Sequence, residues 1–156
     1  MNPILQLIII TLIPTLELRA SIPFGIVATD LHIIPIFTIC VITNILLGIL
    51  VYCSLEKIIP IFRKIRFVSN MWDKYVKRTQ AQIHKAVEKW GEFAVAIFIG
   101  IPLPGSGVYS GALASFMIGL SFKKFLTANI IGVLIAAIIV TIISFGGVEA
   151  FSFFIK

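Results

Sequence analysis

The sequence predicts an all-α integral membrane protein of two inverted repeats, in which each repeat is a re-entrant helical hairpin followed by a transmembrane helix. Hydrophobic residues make up 59% of the 156-residue chain and charged residues only 13%. Soluble domains are less apolar, at roughly 45–50%. Two proline-containing interruptions, each followed by a long apolar run, indicate the repeat. The length allows a single membrane domain, residues 1–156.

Residues 3–29 are predicted to form the first re-entrant hairpin. The apolar arm Pro3–Ile13 would cover about 16 Å as a helix, roughly half of a hydrocarbon core of about 30 Å. Pro14 and Pro23 interrupt helical hydrogen bonding, and broken backbone at membrane depth requires surrounding protein or a water-filled cavity. We therefore expect the tip to lie between these prolines, and Ile22–Thr29 to return to the same surface.

The tip of the first hairpin carries two charged residues, Glu17 and Arg19. A charged side chain in hydrocarbon costs at least about 2.5–3.5 kcal/mol, so both must face protein or water. Glu17 is a candidate proton carrier or cation ligand, because desolvation favours the neutral form of a carboxylate. The alternative is a static ion pair with Arg19. Arg19 could bind an anionic head group or simply neutralise Glu17.

Residues 33–55 have the length of a membrane-spanning helix. Between residues 56 and 89, nine basic residues stand against three acidic ones, which equals the net charge of +6 of the whole chain. Apolar residues recur among these charges at helical spacing, so residues 57–90 are predicted to form a basic amphipathic segment at the membrane surface. The positive-inside rule places this segment in the cytoplasm. Nucleic-acid binding is the less favoured interpretation of its charge.

The second half of the chain repeats this order of elements. Residues 93–120 are predicted to form a second re-entrant hairpin, and residues 125–147 the second membrane-spanning helix. If each hairpin were one full crossing, Lys123 and Lys124 would lie opposite the basic segment, whereas re-entrant hairpins put all these cations on one side. The two repeats are then inverted relative to each other, and both termini lie outside.

The second tip contributes further candidate site residues, namely Pro104, Gly105, Ser106 and Gly107. They precede a half-helix, whose free N–H groups and positive dipole end favour an anion. A tight turn that needs small residues is an equal alternative. Tyr109 lies close enough to hydrogen-bond a substrate or Glu17, although a packed tyrosine with a satisfied hydroxyl is the commoner arrangement.

Two further patterns predict contacts between helices. Small residues at every fourth position allow another helix to approach closely, and this stripe consists of Gly107, Gly111, Ser115 and Gly119. Asn44 and Asn129, each followed by a nearby glycine in its span, could line the site or form interhelical hydrogen bonds. Cys40 and Cys53 are expected to be inert buried thiols, with a disulfide the less favoured alternative.

The sequence does not predict an enzyme. It contains no Walker loop, no His/Cys metal cluster and no carboxylate pair within one element. His32 and His84 are not placed to act as the base of a serine hydrolase with Ser106. We therefore expect no catalytic residues, no metal and no cofactor.

The two tips resemble those of a known family. The segments Glu-Leu-Arg-Ala-Ser-Ile-Pro-Phe-Gly at 17–25 and Pro-Leu-Pro-Gly-Ser-Gly at 102–107 are similar to the paired motifs of the small multidrug export protein family. That family resembles the DedA/VTT superfamily, which implies two re-entrant hairpins, each followed by a spanning helix, and a link to proton-dependent drug resistance and lipid translocation. By this resemblance Glu17 is the acidic residue of the first hairpin, and Pro104-Gly105 the Pro-Gly of the second. DedA proteins have an arginine close to that Pro-Gly, whereas the membrane-embedded arginine here is Arg19.

The expected function is therefore transport of an amphiphilic small molecule, coupled to protons, at a site between the two tips near the bilayer midplane. The candidate site residues are Glu17, Arg19, Pro23, Pro104, Gly105, Ser106, Gly107 and Tyr109. The expected partners are membrane lipids, the substrate and protons, with no nucleic acid, and a homo-oligomer in the cell membrane is predicted. The alternatives are a lipid or lipid-carrier flippase or scramblase that uses the same site, and a non-transporting scaffold that acts through the basic segment.

Overall fold

The computed structural model describes residues 2–62, 91–103 and 105–155. Throughout these ranges the regular secondary structure is helical, which confirms the predicted all-α class for this part of the chain. The helices are α1 (Pro3–Leu12), α2 (Glu17–Ala28), α3 (Ile33–Phe62), α4 (Glu92–Gly100), α5 (Val108–Met117) and α6 (Phe122–Ile155). Pro104 and most of the predicted basic segment, from residue 63 to residue 90, lie outside the described residues.

Two of the helices are long and apolar enough to cross a membrane. The qualifying stretches are Ile33–Leu55 in α3 and Phe122–Gly146 in α6. They agree with the predicted spans at 33–55 and 125–147, although both helices continue beyond them, to Phe62 and Ile155. The other four helices have 9 to 12 residues each, which at about 1.5 Å per residue is roughly half of a hydrocarbon core.

The break in the first hairpin is shorter than predicted. Residues 13–16 separate α1 from α2, and Pro14 lies in this break. Pro23 was expected to close the tip, but it lies inside α2, and the second arm begins at Glu17 and not at Ile22. A proline removes the hydrogen bond of its own missing N–H, here the bond that the carbonyl of Arg19 would accept, and its ring crowds that carbonyl. The helix nevertheless continues to Ala28.

The ends of the short helices follow from local sequence. Asn2 accepts a hydrogen bond from the N–H of Ile4 at 3.0 Å, and Pro3 occupies the first turn of α1, where its missing N–H costs nothing. At the end of α5, Gly119 has a φ of +71°, and the N–H of Leu120 reaches back to the carbonyl of Ser115 at 2.9 Å. This is a helix cap that requires a left-handed residue, which explains a glycine at position 119.

The helices α1, α2 and α3 pack together in the first half of the chain. Thr11 of α1 donates to Ser21 of α2 at 2.7 Å, and Ser21 donates to the sulfur of Cys40 on α3 at 3.2 Å. One turn further along α2, a Cβ added to Gly25 would lie 2.7 Å from Cγ2 of Ile36, so the two helices are in close contact there. Because later residues of α2 meet earlier residues of α3, these helices run antiparallel.

In the second half, α4 packs closely against α5 and α6. Gly111 of α5 lies directly against the side chain of Ile99 on α4, with no room for a Cβ. Gly132 of α6 gives the same close approach, since a Cβ there would lie 2.7 Å from the carbonyl oxygen of Ala96. The small residues therefore bring α4 close to both neighbours.

Contacts between the halves are reciprocal, because α2 packs against α6 and α5 packs against α3. The two long helices also touch directly. The ring of Tyr52 on α3 stacks on Phe125 of α6 with centroids 4.5 Å apart. Nearer the middle, Nδ2 of Asn129 donates to the carbonyl of Ile45 at 3.1 Å, and its amide lies against Gly48. This register makes α3 and α6 antiparallel.

Both cysteines are free thiols, as the sequence predicts. Cys40 is buried and accepts the hydrogen bond from Ser21, whereas Cys53 is exposed. The expectation that both are buried is therefore wrong for Cys53, because position 53 falls on the face of α3 that no other described helix covers.

Candidate functional site

Glu17 begins α2, and its carboxylate reaches the N-terminus of α5. The residue is only 5% exposed. The backbone N–H groups of Val108 and Tyr109 donate to Oε2 and Oε1 of Glu17 at 3.3 and 3.5 Å. The first N–H groups of a helix have no partner within the helix, and the helix dipole is positive at that end. The half-helix that was predicted to bind an anion is α5, and in this structure the anion at its N-terminus is the carboxylate of Glu17.

Gly107 provides the space for this contact. A Cβ at position 107 would lie 2.6 Å from both carboxylate oxygens of Glu17, and its φ of +157° also favours glycine. Gly105 is different, because its φ of +84° requires a flexible residue but a Cβ there would meet no atom within 4 Å. The two glycines of the second tip therefore have separate roles, one in contact with Glu17 and one in the turn.

The backbone before and at Glu17 is strained. Thr15 and Glu17 have φ angles of +76° and +49°, a region that residues with a side chain rarely adopt. Such conformations cost on the order of 1–3 kcal/mol and persist where surrounding contacts fix them, as at functional sites. The carboxylate at the end of this turn is buried and accepts two hydrogen bonds from α5.

Arg19 reaches the other side of the break in the second hairpin. Its Nη1 donates to the carbonyl of Leu103, and its Nη2 to the carbonyl of Ile101 at 3.2 Å and to Oγ of Ser106 at 3.1 Å. These carbonyls follow the end of α4, where a helix leaves acceptors unpaired and its dipole favours a cation. Glu17 and Arg19 are both described, and no ion pair within 4.0 Å joins them.

Ser106 connects Arg19 to the turn of the second tip. Its hydroxyl lies within hydrogen-bond distance of the carbonyls of Ile101 and Leu103, at 2.6 and 2.9 Å. It also accepts from the N–H of Leu103 at 3.3 Å. Ser106 is buried, so these bonds are shielded from solvent and stabilise the turn that Arg19 binds.

Tyr109 links the second hairpin back to the first. Its backbone N–H binds Glu17, but its hydroxyl donates to the carbonyl of Leu12 at 2.7 Å, at the end of α1. Three contacts thus join the tips. The carboxylate of Glu17 binds the start of α5, the guanidinium of Arg19 binds the end of α4, and the hydroxyl of Tyr109 binds the end of α1. Pro23 lies further along α2, and Pro104 is outside the described residues.

Sequence reasoning missed a buried polar chain beside this site. Thr11, Ser21 and Cys40 form consecutive hydrogen bonds and are all fully buried. The signal was the presence of a polar residue in each arm about one turn from the tip. In the described part of the chain, no group of three or more His, Cys, Asp or Glu side chains could hold a metal ion.

The described residues form two apolar helices of membrane length and four half-length helices, and charged side chains lie where the two broken segments meet. These features are typical of a small helical membrane protein with a polar centre. The family model described as "Putative small multi-drug export protein" matches residues 17–139. The chain belongs to this family, as the motifs of the two tips predict. No curated protein and no solved structure matches the chain. The relation to the DedA/VTT superfamily stays a prediction.

Proposed function

We propose that the protein is a transporter that exports amphiphilic small molecules across the cell membrane in exchange for protons, with its site at the contact of the two tips. The family description, which names export and no chemical reaction, supports a transporter over an enzyme. The observation that carries the proposal is that the charges of the first hairpin are bound by the broken helix ends of the second. A change in charge at Glu17 therefore acts directly on the contact between the hairpins.

The architecture in this proposal is two inverted repeats, residues 3–29 with 33–55 and residues 93–120 with 125–147, joined by the basic segment. The antiparallel register of α3 and α6 supports this architecture. The contacts of α2 with α6 and of α5 with α3 support it as well. Broken helices that meet near the midplane of inverted repeats are a recurrent plan of secondary transporters.

Protonation of Glu17 is the proposed coupling step. The carboxylate accepts hydrogen bonds from two N–H groups and interacts with the dipole of α5. Hydrogen bonds to a charged group contribute about 1.5–3 kcal/mol, against about 0.5–1.5 kcal/mol for neutral partners. Loss of the charge therefore weakens the tip contact by about 1–2 kcal/mol. Coupling energies of this size change an affinity by roughly 5–30-fold, which is sufficient for proton-coupled exchange.

The surroundings of the tips favour an amphiphilic substrate. Large apolar side chains near both breaks are at least 40% exposed, and they are Leu12, Ile13, Leu16, Ile101 and Leu103. They flank Glu17, Arg19 and Ser106 in the sequence. A molecule with an apolar body and a charged or polar group would bury its body on these side chains and present its polar group to the tips.

The proposal also includes the partners and the topology of the protein. Membrane lipids cover the apolar faces of α3 and α6, and a second copy of the chain covers part of the remaining lateral surface. The basic segment lies in the cytoplasm and both termini lie outside, in accordance with the positive-inside rule.

The test is flux through the purified protein in liposomes with an imposed pH gradient. A panel of labelled amphiphilic cations and anions would be compared for wild type, Glu17→Gln and Glu92→Gln. We expect pH-driven flux in wild type, a loss of at least about tenfold in Glu17→Gln with passive exchange retained, and wild-type flux in Glu92→Gln. Glu92 is a suitable control because it starts α4, away from the tips. Full pH-driven flux in Glu17→Gln would contradict the coupling role of Glu17.

A further inference from the structure

Asn44 of α3 is a buried amide whose side-chain oxygen has no partner. The residue is 2% exposed, and its Oδ1 accepts no hydrogen bond from any described residue. An acceptor removed from water without a donor is unfavourable, and few such atoms occur in native proteins. Asn44 therefore has a free acceptor that a proton donor close to it could use.

The register between α2 and α3 brings Asn44 level with Glu17. The observed contacts pair Ser21 with Cys40 and Gly25 with Ile36. Each step of four residues back along α2 corresponds to four residues forward along α3, which is about one helical turn in each. The next pair in this antiparallel series is Glu17 with Asn44, and both residues are buried.

We propose that Asn44 accepts the hydrogen bond of the proton that Glu17 carries, so that Glu17 and Asn44 together form a proton-binding site. This proposal rests on the proposed function, in which Glu17 is the proton carrier. An ionised carboxylate has only acceptors and cannot satisfy the oxygen of Asn44, whereas a carboxylic acid has one O–H donor. Glu17 thus has two alternative partners, the N–H groups of α5 when ionised and Oδ1 of Asn44 when protonated.

The other titratable groups near Glu17 do not offer this acceptor. Arg19 has only donors, which bind the second tip, and the hydroxyl of Tyr109 on α5 donates to the carbonyl of Leu12. On α3, Cys40 lies one turn from Asn44 and accepts a hydrogen bond from Ser21. Described titratable side chains on the remaining packed helices are found at helix starts, and they are Glu92 on α4 and Lys123 and Lys124 on α6.

The proposal is tested by infrared spectroscopy of the purified protein in lipid nanodiscs during a pH titration. The carbonyl band of protonated Glu17 is identified by its absence in Glu17→Gln. In Asn44→Leu, which keeps the number and branching of the side-chain heavy atoms, we expect this band to move to the higher frequency of a carboxylic acid without a hydrogen-bond acceptor.

Asn129→Leu is the matched control, because Asn129 is also fully buried with an unpartnered Oδ1, but its amide lies against Gly48 and binds Ile45. We expect the band frequency to stay as in wild type. Asn44→Ala provides a second variant with the same expected shift if Asn44→Leu does not fold.

An unchanged band in the Asn44 variants would overturn the proposal. A wild-type protein with no Glu17 band at any accessible pH would overturn it as well. The flux assay decides the proposed function separately. If the Glu17 band responds to the Asn44 substitutions but the protein shows no pH-driven flux, the proton-binding site stands and the proposed transport function is rejected.

Discussion

Glu17 and Arg19 are two residues apart at the start of α2, and side chains at this spacing point about 200° apart around a helix. They therefore cannot form a close pair on one face, but they can reach two different groups. Glu17 binds the N-terminus of α5, and Arg19 binds carbonyls that follow α4. Each charge meets the helix end with the opposite partial charge, which lowers the cost of removing both from water.

The pair of glycines in the second tip allows a test of this contact. Gly107→Ala should force the carboxylate of Glu17 off the N-terminus of α5, because the added Cβ would lie 2.6 Å from both of its oxygens. We expect a loss of about 2–4 kcal/mol in the free energy of unfolding, from lost charged hydrogen bonds plus backbone strain. The measurement is denaturant or thermal unfolding in detergent.

Gly105→Ala is the control for strain alone, since Gly105 also has a positive φ but an added Cβ would meet no atom. It should lose only about 1 kcal/mol, the cost of the left-handed conformation for alanine. Equal losses in both variants would mean that the Glu17 contact contributes nothing measurable.

Arg19 allows a second test at this scale, based on charge. Arg19→Ala removes the donors to Ile101, Leu103 and Ser106 and leaves Glu17 without a nearby cation. We expect binding of an anionic amphiphile to weaken by about tenfold or more, while a cationic one binds as well or better because a like charge is gone. The measurement is equilibrium binding of labelled amphiphiles of both charges. Arg19→Lys, which keeps the charge, should preserve the order of preference, and an equal effect on both ligands would contradict this role.

At the scale of elements, the stripe of small residues on α5 proves to have several functions. Gly107 makes room for Glu17, Gly111 contacts Ile99 of α4, and Gly119 provides the left-handed cap of α5. The spacing of four residues correctly indicated close helix approach at Gly111. It did not reveal that the two end members of the stripe are fixed by a carboxylate and by a backbone angle, because neither depends on helix periodicity.

The packing role of Gly111 is testable by a large substitution. Gly111→Leu would drive α5 away from α4, because even a Cβ at this position meets the side chain of Ile99. We expect a loss of more than about 3 kcal/mol or failure to fold, above the typical cost of overpacking. Leu113→Ala, on the half-buried side of the same helix, should lose less than about 2 kcal/mol. The measurement is thermal unfolding of both variants, and equal tolerance would show that this face of α5 is not packed.

Some elements could be predicted from sequence and others could not, for physical reasons. The long helices were predictable, because apolar runs of membrane length allow few alternatives. The course of the helix through Pro23 was not, since the loss of one hydrogen bond can be tolerated when the flanking turns are packed. The sequence analysis named Tyr109 as a possible partner of Glu17, but it did not predict that the backbone N–H groups of Val108 and Tyr109 bind the carboxylate, because these residues are more than 90 positions away and their approach depends on tertiary packing.

At the scale of the whole molecule, the second short helix of each half also contacts the other half. The helix α2 packs on the long helix of the other half, and α5 does the same in return. Any separation of the tips must therefore move each hairpin relative to both long helices. In the proposed transporter, a change at Glu17 would act on the rest of the protein through these contacts.

The final prediction concerns the sides of the membrane on which the helix ends lie. Tyr52 of α3 lies 5.7 Å from Phe122 at the start of α6, measured between ring centroids, so Lys57 and Lys123 belong on the same side. In a variant without the exposed Cys53, cysteines at positions 57 and 123 should both react with an impermeant thiol reagent from the cytoplasmic side. A cysteine at Asp30, which follows the end of α2, should react only from outside. The positive-inside rule fixes this orientation, and labelling of positions 57 and 123 from opposite sides would exclude re-entrant hairpins.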